Sequence, residues 1–245
     1  MNVYDTLIQK TLDVLGQQPL KSLAVHPVSW HMLESNEFLM GKEVAFELGD
    51  RFKESTVYHA PTSDSTLIGA DKIFLLGKDL AELSENTNFS RVTLFQMDDI
   101  KDPNKAYIEV RKLDYTRYKI IPEGYMILSS SFENKENVRV SKKAIEQGLS
   151  FETLGNIYID AYKKLPGIRH VQVFFLVGDY DFIKELSALS KKVNEVTEAF
   201  DHILKNVILD CEVCPLKTIC EDVEALRQLH FNVNAENEDK GENDG

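Results

Sequence analysis

The chain has 245 residues, 43% of them hydrophobic and 28% charged, proportions that suit a globular protein and are too apolar for a disordered one. Its 28 Lys and Arg against 40 Asp and Glu give a formal charge of -12, which disfavours nucleic acid and anionic membranes as partners because their phosphates are repelled. The most apolar run, Val171 to Val177, is far short of the roughly 20 residues of a membrane helix, and Met1 to Asp5 lacks a basic n-region, so a cytoplasmic location is expected.

Residues 4–16 predict a short amphipathic helix, with Leu7, Leu12, Val14 and Leu15 among polar neighbours. Strand-like runs follow at 44–48, 56–59, 72–76, 92–95, 106–110 and 125–128. Turn residues punctuate them: Gly49-Asp50, Pro61 to Asp64, Gly69 to Asp71, and Gly77. Residues 1–130 therefore read as a strand-rich α/β region. The character changes near Asn134. Ser141 can cap a helix that stops at Gly148, and residues 151–165 form a second helix closed by Pro166-Gly167. Residues 170–177 predict an apolar strand, and from Asp179 a helix of about 28 residues is expected. Residues 131–234 thus read as a helix–strand–helix region ending in a cysteine cluster, and the whole as an α+β fold. The acidic stretch 235–245 is expected to be a disordered tail.

The long helix carries Phe182, Leu186, Leu189, Val193, Val196, Phe200, Ile203 and Val207 at alternating steps of four and three. Such a seam either buries a stripe against the chain's own sheet or pairs with a second copy, making the 182–207 helix a candidate for homo-oligomerisation.

All three cysteines fall in one short segment, Cys211, Cys214 and Cys220, in the pattern C-x2-C-P-x4-C. An odd, clustered set reads as a metal site rather than a disulfide framework. Two residues between Cys211 and Cys214 form a turn that aims both thiolates at one centre, and Pro215 stiffens it. An iron–sulfur cluster, [4Fe–4S] with three cysteine ligands, is the leading expectation. Structural zinc and three unliganded thiols are the alternatives. His230 is a weak fourth candidate, because a helix from Glu221 would set it roughly 15 Å from Cys220 along the axis. Scattered polar residues, His26, His31, His59, Asp64, Arg169 and His170, are weaker candidates for chemistry. His59 reads as a structural histidine in a strand and Asp64 as a turn residue.

Val138-Arg139-Val140-Ser141-Lys142-Lys143-Ala144-Ile145-Glu146-Gln147-Gly148 resembles the "RVSKDAVAKG" segment of the acetyl-CoA synthase subunit of carbon monoxide dehydrogenase/acetyl-CoA synthase complexes. In that family a "GEIL" helix, a strand reading "VQV", a long charged helix and a C-x2-C cluster follow. The same order stands here as Leu154 to Ile157, His170 to Val173, the helix from Asp179, and Cys211 with Cys214. Met97 to Ile100 before Ile108 to Val110 is similar to the family's "MDEIEDGKIEVIG". The likeness covers roughly residues 90–220 and implies an acetyl-CoA-synthase-like middle domain with a [4Fe–4S] cluster. Cys214 matches the cysteine that also bridges to nickel, and a corrinoid or carbon monoxide dehydrogenase-type protein is the implied partner. The third cysteine here comes sooner than in the family, the fourth position falls on His230, and no Cys-Gly-Cys for a second nickel is present. The expected role is an accessory, docking or electron-transfer component of anaerobic one-carbon metabolism. A metalloenzyme with an open cluster iron or a bridged second metal, and a zinc-stabilised interaction module, are the alternatives.

Overall fold

A computed structural model describes residues 3–35, 38–49, 55–130, 134–205, 214–223, 226, 228 and 229. It is a mixed α/β structure with two sheets. Among the described residues the helices are α1 (Asp5–Gly16), α2 (Pro103–Arg117), α3 (Lys142–Glu146), α4 (Phe151–Lys163), α5 (Ile183–Leu204) and α6 (Lys217–Asp222). The strands are β1 (Lys21–Leu23), β2 (Val44–Leu48), β3 (Val57–Thr62), β4 (Lys72–Leu76), β5 (Phe89–Met97), β6 (Tyr125–Ser130), β7 (Glu136–Ser141) and β8 (Ile168–Val177).

The main sheet has the order β1-β4-β8-β5-β3. β8 runs parallel to β4 and antiparallel to β5, and β5 runs parallel to β3. The second sheet, β2-β7-β6, is antiparallel throughout. Both sheets draw strands from either side of residue 130.

Strand alternation decides the layers, because successive side chains leave opposite faces. From β8, Phe174 and Leu176 enter one core with Leu186, Val193 and Phe200 of α5 and Leu7, Ile8 and Leu15 of α1. Val171, Val173 and Phe175 enter the other, against Phe151, Leu154 and Tyr158 of α4 and Val138 and Val140 of the second sheet. α4 lies so close to β4 that a Cβ on Gly155 would stand 2.6 Å from Cγ2 of Ile73.

Two expectations are corrected. Residues 106–110, predicted as a strand, lie inside α2. Asp102 caps that helix by accepting from the Asn104 and Lys105 amides, Pro103 occupies its first turn, and Ala106, Val110 and Leu113 form its buried stripe at helical spacing. The long helix begins at Ile183 rather than Asp179, since residues 179–182 form a turn whose Tyr180 and Phe182 carbonyls accept the Ile183 and Leu186 amides. β1 and β7 had no counterpart among the predicted strands. From Leu186 to Ile203 the seam is buried within the chain, against α1, α2, α6 and β3; Val207 lies outside the described residues. No helix among the described residues is long and apolar enough to cross a membrane.

Candidate cysteine motif and a polar cleft

Two of the three cysteines are described. Cys214 precedes a turn through Pro215 and Leu216, and its carbonyl accepts from the Lys217 amide at 3.2 Å. Cys220 lies within α6 and its amide donates to the Leu216 carbonyl at 3.1 Å. The apolar residues Leu216 and Ile219 are buried in the α1–α5 core and seat this short unit on α5. Lys192 of α5 and Asp222 of α6 approach to 3.7 Å at the rim. Cys214 and Cys220 are half-buried against that core. Lys217 sits 3.8 Å from Glu221. Cys211 and His230 lie outside the described residues, and among the described ones no three His, Cys, Asp or Glu side chains converge as metal ligands. The donor chemistry of Cys214 and Cys220 fits a thiophilic group: soft sulfur ligands, not joined to each other, beside an apolar wall that limits water.

The scattered candidates fall to structural roles or to the surface. His26 is exposed and meets Glu152 at 3.1 Å. Asp64 folds a turn by accepting from the amide and hydroxyl of Thr66, each at 2.7 Å, and these bonds lower its pKa. Arg169 forks onto both oxygens of Asp98 at 2.6 and 3.0 Å on the surface. His170 stands 3.5 Å from Asp71.

His59 is different. It lies on β3, an outer strand of the main sheet, at the floor of a cleft of about 410 Å³ walled by α2 and α5. Its ring meets Phe95 edge-on at 6.2 Å, and neither ring nitrogen forms a hydrogen bond with a described residue. One side of the ring opens into the cleft and protein encloses the rest. That enclosure, more than any single charge, lowers its pKa to about 4; Arg117, Arg91 and Arg111 push the same way and Asp114 opposes them. The imidazole is therefore neutral near pH 7. In the wall, Arg117 pairs with Asp114 at 3.2 Å and donates to the Tyr118 hydroxyl at 2.6 Å. Arg111 is over half exposed and only 3.8 Å from the same carboxylate.

Behind this cleft is a buried ion pair. Arg91 of β5 donates to Glu136 of β7 at 2.5 Å, both almost wholly enclosed, and the guanidinium lies 4.3 Å over the Tyr158 ring. Burial alone would weaken the guanidinium's hold on its proton, but Glu136 together with Tyr158, Tyr162 and Tyr125 outweighs it and the pKa rises. Burial also pushes Tyr158 up to about 12. Arg91 Nε, Glu136 Oε2 and the hydroxyls of Tyr125 and Tyr158 have no hydrogen-bond partner among the described residues. The pair joins the two sheets at the point where β7 starts. Sequence reading did not single out Arg91 or Glu136: an arginine within the β-type run Phe89–Met97 gives no sign of its partner 45 positions away.

No protein-family model matches the chain, and no curated protein matches it.

Proposed function

We propose that this chain is an acetyl-CoA-synthase-like iron–sulfur protein, with Cys211, Cys214 and Cys220 as cluster ligands, serving as an accessory, docking or electron-transfer component of anaerobic one-carbon or corrinoid metabolism. The observation that carries the reading is the seating of Cys214 and Cys220. Both are half-buried, and the buried Leu216 and Ile219 fix them on α5 rather than on a detached tail. When bound, the cluster supplies one-electron transfer. Cys214 and Cys220 hold it as thiolates, Leu216 and Ile219 orient the segment, and the apolar wall keeps water from the sulfurs. A corrinoid or carbon monoxide dehydrogenase-type protein is the partner that this role requires.

Anaerobic purification followed by iron, sulfide, zinc and nickel analysis tests the reading. Iron with matching sulfide, and visible absorption that bleaches on reduction, are expected. A colourless protein containing stoichiometric zinc refutes the iron–sulfur assignment. Cys214→Ala is expected to lose most of the iron while circular dichroism stays near wild type, because the buried residues of both cores are apolar side chains rather than the cluster ligands.

A further inference from the structure

We infer that the cleft between β3, α2 and α5 binds a small oxyanion, a carboxylate or a phosphate, through the Arg111 guanidinium and the His59 ring N–H. The cleft is distinct from the cysteine segment and uses none of its ligands.

Three observations converge. The volume, about 410 Å³, lies within the range of roughly 300–1,000 Å³ typical of small-molecule pockets. The lining holds two guanidinium groups, Arg111 and Arg117, and two carboxylates, Asp114 and Glu198; Asp114 is spent on Arg117 at 3.2 Å, which leaves Arg111 as the cation that can face a ligand. The hydrogen-bonding capacity is unspent where a ligand would sit. A neutral imidazole always offers one N–H, and here neither ring nitrogen is committed to a described residue.

The arginines divide the work. Arg91 is matched by Glu136 and cannot leave it. Arg117 is held by Asp114 and Tyr118, so it fixes the wall and adds field without reaching for a ligand. Arg111 keeps only a long contact to Asp114, and its fork can close on two oxygens of one anion. Glu198 also lines the opening and, like Arg111, is exposed, so salt screens both alike. Asn194 adds an amide to the same wall. An oxyanion can accept from the Arg111 guanidinium and the His59 N–H together, whereas a purely apolar ligand would strand both donors.

The test titrates the full-length protein at neutral pH with inorganic phosphate and, separately, with acetate. Chloride at matched ionic strength is the control, and the readout is the His59 ring nitrogen resonances. A saturable shift with at least one anion and none with chloride is expected. Saturation by phosphate alone assigns a phosphorylated ligand and by acetate alone a carboxylate; either supports the site. Arg111→Gln, at an exposed position that leaves the core intact, is expected to weaken binding about tenfold or more, as loss of a charged hydrogen bond does. Absence of saturation with both anions overturns the inference, as does unchanged affinity in Arg111→Gln. Iron content is read separately, so loss of the cluster assignment and loss of this site are distinguishable.

Discussion

Arg91 and Glu136 show how much one pair of side chains decides. Each ion is desolvated, and each is tolerable only because the other is 2.5 Å away. Glu136→Leu leaves a guanidinium enclosed without its counter-charge and is expected to cost about 3–5 kcal/mol in urea unfolding. Arg91→Met combined with Glu136→Leu removes both charges and is expected to cost well under the sum of the single changes; additive losses would show that the pair is not coupled. His59 makes a second prediction at this scale. Its folded pKa, about 4, lies below its ordinary 6.5, so between those values the unfolded chain binds a proton that the folded chain refuses. Stability is therefore complete above that window and falls as pH drops through it, by about 3 kcal/mol. Unfolding midpoints measured from neutral pH down to the onset of carboxylate protonation check this, and His59→Gln is expected to flatten that limb.

At the scale of elements, α5 is held by its seam. Val193 is buried among α1, α5 and β3 residues of the same chain, while Lys184, Lys191, Glu195 and Glu198 point outward. Val193→Glu sets a carboxylate into that core without a partner, and the cost of several kcal/mol is comparable to the roughly 5–15 kcal/mol that holds a domain together. Cooperative unfolding in circular dichroism is the expected result; a folded variant of halved mass in solution would transfer the seam to an intermolecular role. The seam was legible because its period alone specifies a buried helix face. α2 was misread because Tyr107, Ile108 and Val110 are strand formers, yet Asp102 and Pro103 already marked a helix start, and cap geometry with burial of Ala106, Val110 and Leu113 prevailed over propensity. β1 is three residues long and among the described residues pairs only with β4, too short for any alternation to stand out.

For the whole molecule, the order of strands matters more than their number. β8 comes from the second half of the sequence yet lies between β4 and β5 from the first. β7, from beyond residue 130, lies between β2 and β6, from before it. The fold class followed from counting runs of each type, but this interleaving did not, because pairing between distant strands leaves no local trace. The same is true of the cleft, whose floor and walls come from around residues 59, 111–117 and 194–198; its histidine could be seen in the sequence, but the three arginines acting on it could not be gathered. The cysteine motif, by contrast, is local and was visible as spacing. The interleaving carries a prediction of its own. A fragment of residues 1–130 retains β4 and β5 but lacks the strand that hydrogen-bonds to both, and it exposes the faces that Val173, Phe174 and Phe175 cover. A fragment of residues 131–245 retains β8 with neither neighbour. Each alone is expected to show little cooperative unfolding and to aggregate through unpaired edges. Mixed during refolding from denaturant, they are expected to restore part of the native circular dichroism, since every lost contact is then available between chains. The sheet cannot close until segments nearly 100 residues apart have met, so the intact chain should also fold slowly for its size. Two fragments that each fold cooperatively by themselves would show that the sheets tolerate division at residue 130.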